Sequence, residues 1–302
     1  MRKHAVLSYC VLAFAFSWSY WLCLLLRGDR VQPGSSATHL PGLLGPFLAA
    51  LVVTAVVDGV GGLRCLLLSC VRLPSPRLPS LLLATSPLLF GVAAYAILSL
   101  FGVPPPTLDD LNTYPGVPEG WPPAASLLFV LILNGIGEEG GWRGFALPRL
   151  ARGRSKLHAS LLVAGMWLLW HLPLFALNAS MAALLGPALL GWALGLASGS
   201  IVLAWIFFRV QSVFVVAIWH TSFNLLVAMA PGRGLVAALA SMVVMVLGVL
   251  IAARWLWWRD LPGSEGPLST VSSEGECRRL DSRAAGGPAG SSTSRNEASK
   301  PR

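Results

Sequence analysis

Six side chains in three short stretches have the types and spacings that could do chemistry in this 302-residue chain. "GEEGGWR" holds Glu138, Glu139 and Arg143, "WLLWH" ends in His171, and "HTSFN" runs from His220 to Asn224. Glu139 and Arg143 are four residues apart, the helical separation at which opposite charges meet and neutralise each other at low dielectric. Glu138 is turned about 100° from Glu139 around the same helix and lacks a local counter-charge. The two histidines, on other segments, are its candidate partners. His220 and Asn224 also stand four apart and share a face, where a ring N–H and an amide N–H suit a developing oxyanion. Glu138 with His171 could hold and deprotonate a water. Together these are the parts of an amide hydrolase, with Glu138, His171, His220 and Asn224 catalytic and Glu139 and Arg143 in structural support.

The surroundings of the six are apolar. Hydrophobic residues make up 55% of the chain, charged residues 12%, and the mean hydropathy is +0.68. That composition lies outside the range of soluble domains and predicts an all-α, polytopic membrane helix bundle. Runs of roughly 20 apolar residues, the length that spans hydrocarbon as a helix, recur near 5–26, 40–57, 79–101, 124–148, 158–177, 182–208, 211–230 and 234–257, giving about eight transmembrane helices. The first is read as an uncleaved helix, because its apolar run continues through Leu26. On this layout Glu138 and Glu139 lie about 14 residues, or about 21 Å, into the fourth span. A charged side chain near the bilayer centre costs about 2.5–3.5 kcal/mol and is kept for a protein interior or a wet cavity. Three helices contributing polar groups at comparable depth therefore point to one site.

Two local features fit such a cavity. Gly135, Gly137, Gly140, Gly141 and Gly144 weaken the helix around the acidic pair and are read as clearance for water or substrate backbone. Pro173, two residues after His171, is expected to kink the fifth span. The tryptophans beside the polar positions, Trp142, Trp167, Trp170 and Trp219, are read as aromatic packing.

Basic residues place the N-terminus and the C-terminus on the cytoplasmic side of a cell membrane. Arg2, Lys3, Arg72, Arg152, Arg154 and Arg209 fall on that side, and the opposite side keeps Arg27, Arg30 and Arg233. The formal net charge of +9 is thus mostly a topology signal, and no nucleic-acid partner is needed to explain it. The predicted membrane-embedded domain covers 1–261. From 262 to 302 the composition turns to Ser, Gly, Glu and Arg, as in a disordered cytoplasmic tail. Five cysteines show no CxxC spacing, and most read as small apolar packing residues.

Other chemistries are weaker. There is no HExxH motif for a zincin, no aspartate in the predicted spans for an aspartyl protease, and no well-placed serine. Glu138, His171 and His220 match a His₂Glu zinc set, so a divalent metal stays open as a cofactor. A non-catalytic membrane protein or a transporter would use the same cluster for substrate or proton binding. Transporters often contain two similar halves, and no repeat relates 1–150 to 151–260.

The three stretches also resemble motifs. "EEGGWR" is similar to the EExxxR pattern, "WLLWH" to FxxxH and "HTSFN" to HxxxN of the CPBP family, the Rce1-like or Abi intramembrane proteases that process CAAX proteins and bacteriocins. The resemblance covers about 124–230. It implies a multi-helix bundle that cuts a peptide bond of a membrane-associated, lipidated CAAX-like or bacteriocin-type substrate with a glutamate-activated water. It also carries the family label of metalloendopeptidase. By position Glu138 would be the base, His171 its partner on the water, and His220 with Asn224 the oxyanion donors. Trp167 stands where the pattern has Phe.

Overall fold

In membrane interior every backbone N–H and C=O must find its partner within the chain, which leaves helices for a sequence this apolar. The computed structural model describes residues 4–33 and 35–257, and among these there is no strand. The predicted tail at 262–302 lies outside the described residues.

Ten helices carry the architecture: α1 (Ala5–Leu26), α2 (Gly45–Val57, entered through a 3₁₀ turn at Leu40–Leu44), α3 (Gly59–Ser69), α4 (Arg77–Ala84), α5 (Ser86–Ser99), α6 (Pro123–Leu150), α7 (Lys156–Trp170), α8 (Pro187–Val210), α9 (Val213–Ala228) and α10 (Leu235–Trp257). Side-chain caps set several starts: Ser155 Oγ accepts from the His158 N–H at the head of α7, and Ser212 Oγ accepts from Val215 N–H at the head of α9. Gln211, with φ +48°, ends α8 in the left-handed region and reverses the chain into α9.

Six segments are long and apolar enough to cross a membrane: α1, the turn with α2, α6, α7 continued to Leu177, α8 and α10. The predicted span at 79–101 is instead broken. α4 and α5 meet at a bend of 59° around Thr85, and together they make a seventh candidate. Pro87 has no N–H for the Leu83 carbonyl, which accepts from Ser86 Oγ instead. The eighth, α9, has 16 residues. At about 1.5 Å per residue it is about 24 Å long, short of the roughly 30 Å of hydrocarbon. The bundle is therefore as expected, while the count of eight rests on a broken and a short helix.

Packing places α6 at the centre. It lies against α2 on one side and α9 on the other, while α1 packs along α2 and α8 joins α7 to α10. The α6 glycines make these approaches. A methyl at Gly137 would meet the Leu43 carbonyl, one at Gly141 would meet Pro46 and the Tyr9 hydroxyl, and one at Gly135 would meet Thr221 and the Ala217 carbonyl. The space they leave is filled by neighbouring helices, which corrects the reading of these glycines as clearance for substrate. Gly191 and Gly195 on α8, by contrast, face open space.

Candidate active site

α6 is not a uniform helix. Leu131–Ile136 and Trp142–Ala146 form π-helical turns, and the α-helical turn Gly137–Gly141 between them holds the acidic pair. Wider turns of this kind occur mostly as local bulges, often at functional positions. Two stripes of side chains four apart follow. Asn134 Nδ2 donates to Glu138 Oε1 at 2.5 Å, and Arg143 Nη1 donates to Glu139 Oε1 at 2.8 Å.

α7 ends at the site. Its last residue is Trp170, His171 caps it, and the chain turns through Pro173 before one more helical turn at Leu174–Leu177, so the expected kink is present. That turn is tied to the loop after α1: Val31 N–H donates to the Leu177 carbonyl and Ala179 N–H donates back to Val31. Trp167 is the unexpected participant. Its indole Nε1–H donates to Glu138 Oε2 at 2.6 Å, while its backbone carbonyl lies 2.6 Å from His171 Nδ1. The same ring sits 4.6 Å from the Arg143 guanidinium carbon and meets the His220 ring edge-on at 5.3 Å.

α9 supplies the rest. Asn224 Nδ2 donates to Asn134 Oδ1 at 2.8 Å and lies 3.1 Å from His220 Nε2. His220 Nδ1 stands 2.8 Å from Glu139 Oε1, without the alignment of a hydrogen bond. The polar chain is continuous, from Trp167 through Glu138, Asn134, Asn224 and His220 to Glu139 and Arg143. Glu138, Glu139 and Arg143 are at most 2% exposed.

All six expected side chains are thus gathered by α6, α7 and α9, but their pairing differs from the simplest reading. Glu139 with Arg143 is as expected. Glu138 is held by Asn134 and Trp167, both N–H donors, and the histidine nearest a carboxylate is His220, at Glu139. His220 has Nε2 beside the Asn224 amide and Nδ1 beside Glu139. His171 holds its Nδ1 against a carbonyl, which fixes the proton there and leaves Nε2 with a lone pair.

The residues named for a possible zinc do not fit one as arranged. Among the described residues no three of His, Cys, Asp and Glu converge as a metal-binding group. Both Glu138 oxygens already accept N–H bonds, and His220 Nε2 faces the Asn224 amide.

Sequence reasoning missed three contributors. Asn134 was signalled by its place four residues before Glu138. Trp167 was visible four residues before His171 but read as packing. Tyr114 comes from the loop between α5 and α6, which folds back until the phenol is buried with its hydroxyl facing Asn224 and Glu138. Burial, with the Glu138 carboxyl nearby, holds that phenol well above its usual value, so it stays a neutral donor. Nothing in the loop's composition signals this.

Residues 120–226 match the family described as type II CAAX prenyl endopeptidase Rce1-like. This segment is similar to an Rce1-like domain. This segment opens just before α6 and closes two residues beyond Asn224, so it contains every group on the three helices described above. Over 54 residues the chain is 44% identical to CAAX prenyl protease 2 of Methanococcus maripaludis, a stretch of 18% of this chain and 20% of that relative. The chain therefore matches about a fifth of the length of this curated relative. Buried His39, Tyr114 and the buried side chains of α1 lie outside the matched segment.

Proposed function

We propose that this chain is an intramembrane endopeptidase in which water, activated by Glu138 and His171, hydrolyses a peptide bond of a membrane-associated substrate. The observation that supports it most is the buried polar chain drawn from three helices, within a segment that matches a peptidase family.

Glu138 and the lone pair on His171 Nε2 are two acceptors suited to the two protons of one water. As that water's oxygen bonds to the carbonyl carbon, its proton passes to Glu138 and the carbonyl oxygen becomes an oxyanion. Asn224 turns the amide N–H that lies toward His220 onto that oxyanion, with Tyr114 as a second neutral donor beside it. The C–N bond then breaks, and the leaving amine takes the proton held by Glu138. Trp167 and Asn134 keep the carboxyl group aimed throughout, since a base displaced by an ångström loses much of its effect. No step is routed through a metal.

The substrate reading rests on the relative's name and on the motifs. A lipidated, CAAX-like C-terminus is the first class to offer and a bacteriocin-type peptide the second. With both termini on the cytoplasmic side of the cell membrane, the α7–α8 and α5–α6 loops lie on the opposite face.

The deciding experiment is terminal proteomics of cells carrying the wild type or Glu138→Ala, followed by cleavage of any hit with protein in vesicles. New termini made only by the wild type support the reading, as does their loss in His171→Ala. Cleavage by Glu138→Ala at the wild-type rate, or Glu138-dependent flux across the vesicle with no cleavage, overturns it.

A further inference from the structure

The loop between α5 and α6 brings Tyr114 to the site, and three consecutive residues fix where that phenol ends. Asn112 ties the loop to the start of α6: its Nδ2 donates to the Trp121 carbonyl at 2.9 Å, and its Oδ1 accepts from Ser126 Oγ at 2.7 Å. Thr113 ties it to the link that follows α9, because its Oγ1 accepts from the Ala230 N–H at 2.8 Å. Tyr114 comes next, turned inward and 6% exposed. The two anchors thus lead to the two helices that carry Glu138 and Asn224.

Arg233 completes the second anchor. The link from α9 to α10 folds back on α9 so closely that a methyl at Gly232 would meet the Leu226 carbonyl. That return places Arg233 over the helix end, where its Nε donates to the Ala228 carbonyl at 3.1 Å and its Nη2 donates to the Thr113 carbonyl at 3.0 Å. Nε and Nη2 lie on one edge of the planar guanidinium, so the spacing of the two bonds is fixed. Ala228 is one turn beyond Asn224, and its carbonyl is among those that a helix end leaves without a partner. Thr113 is joined directly to Tyr114. One rigid group therefore spans from the helix of one donor to the residue before the other.

We infer that Arg233 is a positioning residue for the reaction proposed above: by bridging the Thr113 and Ala228 carbonyls it sets the Tyr114 hydroxyl beside the Asn224 amide, so that both can donate to one oxyanion. The catalytic consequence rests on the peptidase reading, whereas the placement of Tyr114 does not. Without the bridge the loop keeps its hold on α6 and slackens against α9, and the two donors no longer converge.

Two readouts test it. In a peptide-cleavage assay in vesicles, Arg233→Gln should lower kcat about 3- to 10-fold with KM little changed, as part of the larger loss from Tyr114→Phe. Once Tyr114→Phe is present, adding Arg233→Gln should cost less than about twofold, whereas a merely structural residue would cost the same factor in both backgrounds. The second readout needs no cleavage. Nitration by tetranitromethane, mapped by mass spectrometry, should be at least about fivefold faster at Tyr114 in Arg233→Gln than in wild type, with Tyr9, buried against Trp142 and Phe145, protected in both. Arg233→Lys keeps the charge and loses the two-donor edge, so it should resemble Arg233→Gln, and it takes the place of that variant if Arg233→Gln fails to fold. Equal losses with and without the Tyr114 hydroxyl, wild-type behaviour of Arg233→Lys, or equal protection of Tyr114 in wild type and Arg233→Gln overturns the inference. Cleavage independent of Glu138 would instead sink the peptidase reading, and nitration would then decide by itself whether Arg233 holds Tyr114.

Discussion

Replacing Trp167 with Phe asks whether the site depends on one hydrogen bond that packing alone cannot supply. Phe keeps an aromatic ring near Arg143, His171 and His220 and removes the donor 2.6 Å from Glu138 Oε2. Trp167 is 5% exposed and Glu138 2%, so little water is at hand to take the donor's place. A hydrogen bond to a charged group contributes about 1.5–3 kcal/mol. If that bond aims the base in the transition state, its loss lowers the rate by about 10- to 150-fold at about 1.4 kcal/mol per factor of ten. The fall should appear in kcat with KM little changed, because the bond touches the base and not the substrate. A fluorogenic peptide assay in vesicles measures it. Trp170→Phe is the control: it too removes an indole donor, at 2.8 Å from Ser17 Oγ, and belongs to the structure only. Trp167→Phe within about twofold of wild type, or equal losses in the two variants, would refute the assignment. The motif this stretch resembles has Phe at the same place, so a neutral result would mean that Asn134 alone suffices.

Three further outcomes follow from the same geometry. Glu139→Ala leaves Arg143 fully buried without its carboxylate, and breaking such a pair costs about 3–5 kcal/mol, or about 6–20 °C in detergent; an unchanged melting temperature with activity alone lost would reverse the roles given to the two glutamates. Asn224→Ala removes the proposed oxyanion donor and should cost about 10²–10³-fold in kcat, and a loss confined to KM would argue for a substrate-binding role instead. Burial pushes the His39 imidazole down to about 4, with His171 nearby acting in the same direction. The neutral ring's contribution is therefore complete above its unfolded value of about 6.5 and is lost as pH falls toward 4, by up to about 3 kcal/mol. Melting temperature should fall less between pH 7 and 4.5 in His39→Gln than in wild type, and parallel curves would sink the account.

What could be read in the sequence was governed by the range of each interaction. Helical periodicity is local, so the Glu139–Arg143 pair and the shared face of His220 and Asn224 needed only a spacing of four, and the apolar runs needed only a count of residues. The partner of Glu138 was a question between helices, and there the sequence favoured charge: a carboxylate without a cation suggested histidine. The bundle answered with neutral donors. Asn134 and Trp167 satisfy both oxygens without another ion to desolvate, and burying a second charge costs several kcal/mol even when it is paired. The glycines were misread for a similar reason. Missing side chains read as room until a neighbouring helix is placed against them, and α2 and α9 occupy that room. The same close approach brings Asn224 within 2.8 Å of Asn134 and so joins the two halves of the site. A methyl at Gly135, where α6 meets the Ala217 carbonyl, would push α9 away and part Asn224 from Asn134 and Glu138. The "GIGEEGG" stretch therefore helps to set the distance across the site, and the glutamates use what that distance makes possible.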